Sequence, residues 1–512
     1  MPSFTVNVAK IQNNYAMTEM PGIQYDTTGY YRKHLWWDDQ IGDYYVTGNG
    51  IDDNYMWTYG QAYVIPMRMP QGVPNAFAGT AIGGGSLTGL YRGVVVWRNS
   101  SYDVQSNQSN QSSVVVTTGT HLIRWSITGV TPPAWADKWR IYRSFAGDYS
   151  NFYYVGEESI ATTTYDDNTA DAALGSAVPT VNGEMPRCSV GKVCNNRLFC
   201  ASGNTLYWSE IGAPASYDVA TGSMDVGNTD ITGLAVLFDV LYVFNQETIW
   251  ELSGTSGDVN GWVLRNLDTG VGCGAHHSIQ NCENLLYFWS SHQRAVYTFN
   301  GQTVSNISDK IYYGHFDSLP EATFIDNWST YNPKKRWYTI FVCPSGGITR
   351  SRAYIYNIPL NVWYVVNYNR EMSYGYTGEV VEVQETWAGS GDGKLYKLFD
   401  GTDFAGAAIS SYVKTKQFDC DVPTAFKKFI NPTIIQSAGH SGGYLLNFNM
   451  YLDGSAVGVY AVDRGLAVST KKISTCVDRR GYYGQLKLSA PNASYLLDIN
   501  RILVPFKMKG EV

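Results

Sequence analysis

Apolar and aromatic residues in this chain recur mainly at alternate positions, in short runs that end at Gly, Asn or Asp. Hardly any stretch keeps apolar residues at i, i+3, i+4 and i+7 for three turns, so the pattern predicts strands and an all-β fold. The clearest signal is a repeat. Five segments share a plan of aromatic strand, polar turn and second aromatic strand: NRLFCASGNTLYWSE from Asn196, DVLYVFNQETIWELSG from Asp239, NLLYFWSSHQRAVYTFNG from Asn284, the looser KRWYTIFVCPSGGITRSRAYIYN from Lys335, and ETWAGSGDGKLYKLFDG from Glu385. Aligning Phe199, Tyr242, Tyr287, Tyr338 and Trp387 gives spacings of 43, 45, 51 and 49 residues. That period, about 40 to 50, suits a four-stranded propeller blade, and a blade buries both faces only against its neighbours. A β-propeller of 5–6 blades over 181–402 is therefore expected, an ordinary β-sandwich meander being the alternative.

Residues 81–180 read differently. Strands at Tyr91 to Arg98, His121 to Ile127, Lys138 to Arg143 and Asn151 to Gly156, with turns at Gly83 to Gly85 and Asp166 to Asn168, predict an Ig-like or fibronectin-III-like sandwich. Alternation places Trp139, Ile141 and Arg143 on one face of their strand. The polar tract QSNQSNQSS, Gln105 to Ser113, has no apolar residue to pack and is expected as an exposed loop. From 403 to 512, runs such as KKFINPTIIQ, GYLLNFNMYLDG, GQLKLSA and YLLDINRILVPF lack the hairpin signature and predict a C-terminal β-sandwich. Residues 1–80 form an N-terminal β segment that completes a blade if the ring closes with a strand from the other terminus.

Composition narrows the function. With 44% hydrophobic residues, 16% charged and 39 tyrosines among 512 residues, the chain is globular and strand-biased. The longest near-apolar stretch, Gly233 to Phe244, contains Asp239 and is shorter than the roughly 20 residues of a membrane helix, so no membrane span is expected. The start, MPSFTVNVAKIQNNY, lacks a basic n-region and apolar h-region, which predicts cytosolic synthesis and assembly. Eight irregular cysteines read as buried thiols. With 37 basic against 44 acidic residues, net −7, tight nucleic-acid binding is not expected, because such affinity comes from Lys and Arg displacing counterions.

The motifs that suggest chemistry fit turns better. Gly439, His440, Ser441, Gly442 and Gly443 spell G-x-S-x-G, but strand-like sequence on both sides argues for a hairpin turn over a nucleophile elbow. AGSGDGKL, Ala388 to Leu395, has Ala where a phosphate loop needs its first Gly and Leu where it needs Ser or Thr. Cys273, His276, His277 and Cys282 form a C-x2-H-H-x4-C cluster of zinc-ligand types. Neighbouring residues of an outer strand face opposite ways, so buried thiols and surface imidazoles are the expectation there. The pairs Asp38 and Asp39, Asp52 and Asp53, Glu157 and Glu158, and Asp166 and Asp167 are expected in turns and solvated edges. Lys334, Lys335 and Arg336 form the one basic cluster, read as a charged hairpin edge that resists strand aggregation. No catalytic residue, cofactor or metal is expected.

WSEIGAPASYD from Trp208, then ITGLAVLFDVLYVFNQETIWELSG, then GVGCGAHHSIQNCENLLYFWSSHQRAVYTFNG resemble the β-propeller of tail hub or nozzle proteins of short-tailed bacteriophages, including packaged-DNA stabilisation proteins. GLYRGVVVWRNSSYDVQSNQSNQSS through KWRIYRS to TTTYDDNTAD is similar to the Ig-like module that accompanies such propellers. The resemblance covers roughly 85 to 400. It implies a non-enzymatic virion protein, assembled in the host bacterial cytoplasm, that forms a ring of six copies under the portal and its adaptor. Fibre or spike and needle or plug proteins would be further partners, and duplex DNA would be retained and then pass without specific binding. An acidic chain suits a conduit that lets DNA slide, and an aromatic-rich one suits broad interfaces. No functional residue transfers with the resemblance. Exposed loops on rigid scaffolds carry interfaces, which makes Lys334, Lys335, Arg336, Gln105, Gln108 and Gln111 the candidate partner contacts. Two other readings are a glycan-binding adhesion protein, requiring exposed Trp or Tyr beside Asp and Asn, and a propeller glycosidase, requiring two carboxylates across a central pocket.

Overall fold

The computed structural model describes residues 8–11, 17–20 and 36–400, apart from 60, 62–63, 68–76, 184, 345–348, 381–382 and 393. Beyond 400 it describes 403–405, 407–419, 421, 423–429, 433–436, 444–464, 470–472, 479–493, 499–503 and 506–508. The described chain is all-β: its longest helical turn, Glu321–Asp326, has six residues. It divides into two compact units, 1–396 and 397–512.

In the first unit, five four-stranded antiparallel sheets are simple meanders, spanning 37–66, 190–225, 233–266, 280–306 and 328–367. A sixth sheet starts with the antiparallel pair Tyr374–Val380 and Val383–Gly389. The first four predicted hairpins are strands two and three of their sheets, such as Val240–Phe244 with Ile249–Ser253. The N-terminal segment contributes a whole sheet, from Trp37–Ile41 to Ile65–Pro66.

Strand periodicity explains how these sheets stack. Successive side chains point to opposite faces, so alternate residues of each second strand serve different neighbours. Leu198 and Cys200 join the core containing Trp37 and Val46, whereas Phe199 and Ala201 pack with Leu241 and Val243. Tyr242 and Phe244 pack with Leu286 and Phe288, and Tyr287 and Trp289 with Tyr338 and Ile340. The predicted alignment slips at its fourth member. Tyr338 faces back toward Tyr287, 5.2 Å between rings, and Thr339 holds the position equivalent to Tyr287. A one-residue shift exchanges the faces of a strand.

Close approach between sheets is built in at Gly191, where an added Cβ would collide with the Trp37 ring. Trp328 stacks on Phe341 at 3.9 Å, and its indole N–H donates to Met372 O at 2.9 Å, tying 328–367 to the segment that starts the sixth sheet. Aromatic contacts of this kind contribute about 0.5–1.5 kcal/mol each beyond burial.

Between the first two meanders the chain makes two further antiparallel sheets. One orders Thr164–Asp167, Val115–Ser126 and Ala78–Tyr91, and the other Tyr153–Ser159, Lys138–Arg143, Gly93–Asn99 and Val104–Gln105. Leu87, Ile123 and Trp125 of the first share a core with Trp97, Trp139 and Ile141 of the second. Arg143 is on that side as predicted and is fully buried, in an ion pair with the fully buried Asp167 at 2.9 Å. Asp167 therefore departs from the solvated-edge expectation. Burial of both charges is tolerated because Arg143 also meets Asp171 Oδ1 at 2.8 Å, Thr169 O at 2.6 Å and the face of Tyr91 at 4.4 Å.

The second unit holds a five-stranded sheet in the order Asp403–Phe404, Ala407–Lys414, Gly484–Ala493, Tyr444–Leu452, Ser455–Arg464, and two three-stranded sheets. Phe429, Phe448, Met450, Leu486 and Leu488 are buried there. The G-x-S-x-G motif at 439–443 lies outside the described residues.

Candidate functional site

The first strands of the meanders converge. Asp38, Lys192, Val236, Gln280 and Thr377, from five different sheets, line one cavity of about 600 Å³. A neighbouring cavity of about 310 Å³ shares Gln280 and Thr377 and adds Thr330 from the 328–367 sheet. A third, of about 490 Å³, shares His276 and His277 with the first. These volumes suit a small molecule or a column of water.

The cavity wall is polar and nearly neutral. Asp39 pairs with Lys192 at 2.8 Å and accepts the Val193 N–H at 2.8 Å. Loss of hydration at the cavity wall, then the Asp39 charge, raises the Asp38 carboxyl above its ordinary value against a hydrogen bond from Tyr45 and the attraction of Lys192. Both carboxylates come from the single strand Trp37–Ile41. The hydroxyls of Thr330 and Thr377 meet at 2.7 Å and join two sheets.

His276 and His277 occupy a 3-10 turn, His276–Ser278, in place of the expected outer strand, and neither is a surface imidazole. Their rings meet edge to face at 5.2 Å, and His277 does the same with Tyr374 at 5.0 Å. Burial, with His277 and Lys192 adding to it, holds the His276 pKa well below its ordinary value, and its Nδ1 has no hydrogen-bond partner. The cysteines of the cluster are buried as expected. Cys273 Sγ donates to Ala275 O at 3.1 Å, and burial pushes its thiol up to about 12. Among the described residues no three His, Cys, Asp or Glu side chains gather into a metal-binding group. No helix among them is long and apolar enough to cross a membrane.

The predicted contact residues fall in two places. Lys334, Lys335 and Arg336 are exposed on the turn between Trp328–Asn332 and Trp337–Val342. Arg336 grips both oxygens of Glu283 at 2.6 Å, fastening this turn to the 280–306 sheet, and Lys335 lies 4.9 Å over Trp337. Lys334 extends from the turn's exposed surface. The tract Gln105 to Ser113 is not the free loop expected. Ser106, Ser109 and Ser112 are buried, and their N–H groups donate to Trp97, Val95 and Gly93 carbonyls, each at 2.9 Å. Their hydroxyls accept the N–H of the same three residues at 2.9–3.0 Å. Gln105 accepts from Arg140 at 3.1 Å and Gln111 from Arg92 at 2.9 Å; Gln108 is half-buried. The tract thus seals the edge of Gly93–Asn99, and the three serines escaped sequence reading although their spacing of three announces them.

A carboxylate at the end of this sheet draws in three cations. Lys138 Nζ at 2.6 Å, Arg98 Nη1 at 2.9 Å and Arg140 Nε at 3.0 Å all reach Glu157. Burial alone would raise its carboxyl, but the hydrogen bonds from Lys138, Arg140 and Arg98 outweigh it and bring the pKa down to about 2. No protein-family model matches the chain, and no curated protein matches it either.

Proposed function

We propose that the chain is a structural virion protein, a tail nozzle or hub subunit that assembles as a homo-oligomeric ring below the portal and adaptor and retains, then releases, packaged DNA. In this reading the six meander sheets are blades of a β-propeller, the 78–167 sheets are its Ig-like module, and the second unit is a further sandwich. The observation that carries the reading is the convergence of first strands from successive four-stranded sheets on one cavity. It fits the architecture that the sequence resemblance implies. A cavity of about 600 Å³ has no room for a DNA duplex, so the conduit must lie between copies, around an axis outside each subunit. Exposed apolar residues at the outermost strand Val362–Asn367, among them Val362, Tyr364 and Val365, and the cation turn 334–336 supply contact surface for such a ring. Native mass spectrometry of the full chain, alone and with portal and adaptor, tests this: masses at a fixed multiple of 56.9 kDa support it, and a monomer indifferent to both partners overturns it.

One patch favours a second reading, glycan binding. In the second unit Phe426, Tyr482 and Tyr483 are exposed, with Phe426 and Tyr482 rings 5.2 Å apart beside Asp453. Asp453, however, spends its carboxylate on the Tyr482 and Tyr483 N–H groups, which ranks this reading below the ring. Saccharide binding that is lost in Tyr482→Ala and Tyr483→Ala would reverse the ranking.

A further inference from the structure

Six of the eight cysteines lie among the described residues, all buried, and two of them touch. Cys188 Sγ is 2.8 Å from Cys200 Sγ, inside the usual contact distance of non-bonded heavy atoms, about 3.5–4.0 Å, and short of a bond at about 2.05 Å. Met185 Sδ stands 3.5 Å from Cys200 Sγ and closes the pocket with sulfur. Cys188 Sγ also donates to Pro186 O at 3.1 Å, whereas Cys194, Cys273 and Cys282 meet oxygen atoms and, among the described residues, no second thiol. The pair also sits at a seam. The Cys188 carbonyl accepts the Trp37 indole N–H at 2.8 Å, and its N–H donates to Asn54 Oδ1 at 3.2 Å, while Cys200 belongs to strand Arg197–Ser202. The segment leading into the 190–225 sheet is thereby held against the 37–66 sheet.

We propose that Cys188 and Cys200 are a redox pair that closes to an intramolecular disulfide and staples the segment leading into the 190–225 sheet to that sheet's second strand. With hydrogen peroxide as oxidant, one thiolate attacks the O–O bond, becomes a sulfenic acid and releases the first water. The second thiolate attacks that sulfur, the S–S bond forms and the second water leaves. Two thiols and one peroxide give one disulfide and two waters. Both sulfurs are shielded in the folded chain, and burial keeps the Cys200 thiol protonated at neutral pH. Closure is therefore slow in the intact fold and fast under conditions that open the seam, and the closed bond is equally shielded from reductant.

The test uses the full reduced chain, treated with peroxide in native buffer and in mild urea, then alkylated and digested with trypsin. Cleavage after Arg187, Lys192 and Arg197 leaves Cys188, Cys194 and Cys200 on separate peptides. The expected result is loss of two hydrogens, a linked Cys188–Cys200 peptide pair that forms faster in urea, and an apparent Tm a few degrees higher that reverts after dithiothreitol treatment in mild urea. Cys188→Ser and Cys200→Ala lose both signals, and Cys194→Ser keeps them. Full alkylation of both thiols after peroxide, linkage to another cysteine, or oxidation only to sulfinic acid would overturn the proposal. These readouts on the unsubstituted chain decide it even where a variant fails to fold.

Discussion

Ser109 and Val95 exchange two hydrogen bonds: the Ser109 N–H donates to the Val95 carbonyl at 2.9 Å, and the Ser109 hydroxyl accepts the Val95 N–H at 2.9 Å. Ser106 repeats this with Trp97 and Ser112 with Gly93, so three residues of the tract advance against two of the strand. Each hydroxyl in turn donates a hydrogen bond to the next residue's carbonyl, Asn107, Asn110 or Ser113. A polar, low-complexity segment thus completes a sheet edge that would otherwise be open to pairing with other chains.

Replacing Ser109 by Ala leaves the Val95 N–H without its acceptor, and should lower stability by about 1 kcal/mol and speed hydrogen exchange at Val95. Ser106→Ala and Ser112→Ala should act alike. Gln108→Ala should stay within about 0.5 kcal/mol. Urea titration and amide exchange check both, and equal effects for Ser109 and Gln108 would contradict the pairing described.

Arg143→Met strands Asp167 in the core. Removing one partner of a buried pair costs about 3–5 kcal/mol, so this variant should show a large loss in chemical denaturation. Arg124→Ala, which breaks a solvent-screened pair with Asp166, should leave the denaturation midpoint close to that of the unsubstituted chain.

Glu157 sets an acid limit. Its folded pKa, about 2, lies below the unfolded value near 4.5, so its contribution is complete above pH 4.5 and is lost as pH falls toward 2. Glu157→Gln should flatten the stability profile across that window and weaken the fold at neutral pH by leaving Lys138 and Arg140 without their carboxylate, while Arg98 keeps Asp103 at 2.8 Å.

His276 acts in a higher window with its own sign. Its folded pKa lies below the unfolded value of 6.5, so the unfolded chain takes up the proton first and stability falls as pH drops below 6.5. His276→Gln should remove that slope in thermal melts between pH 5 and 6.5, measured with Glu157 intact.

Lys334→Glu with Lys335→Glu reverses the charge of the exposed turn. On the proposed function, it should slow association with the adaptor several-fold and weaken its salt dependence, with stability changed by less than about 0.5 kcal/mol. Surface plasmon resonance at two ionic strengths reads the rate.

The repeat was legible because the meanders present alternate residues to alternate neighbours, and that imposes aromatic strands at near-constant spacing. Phe199, Tyr242 and Tyr287 take equivalent places for this reason, whereas the longer fourth hairpin put an aromatic, Tyr338, one position early and misled the alignment. Composition misjudged Gln105 to Ser113, since the information lay in the period of its serines. The buried Asp167 and the turn carrying His276 and His277 escaped because each depends on partners distant in sequence or on a local break in strand geometry. Of the contact candidates, the exposure of 334–336 followed from its polar turn, but the Arg336 clasp on Glu283 joins residues 53 apart and left no local mark.

The most direct test of the ring is imaging of the purified full chain, alone and with portal and adaptor, by negative stain followed by mass assignment of the particles. A nozzle subunit gives closed rings of uniform copy number, with a central opening wide enough for duplex DNA, stacked on the adaptor. Isolated monomers in both samples, or open chains without a central opening, would contradict the nozzle reading.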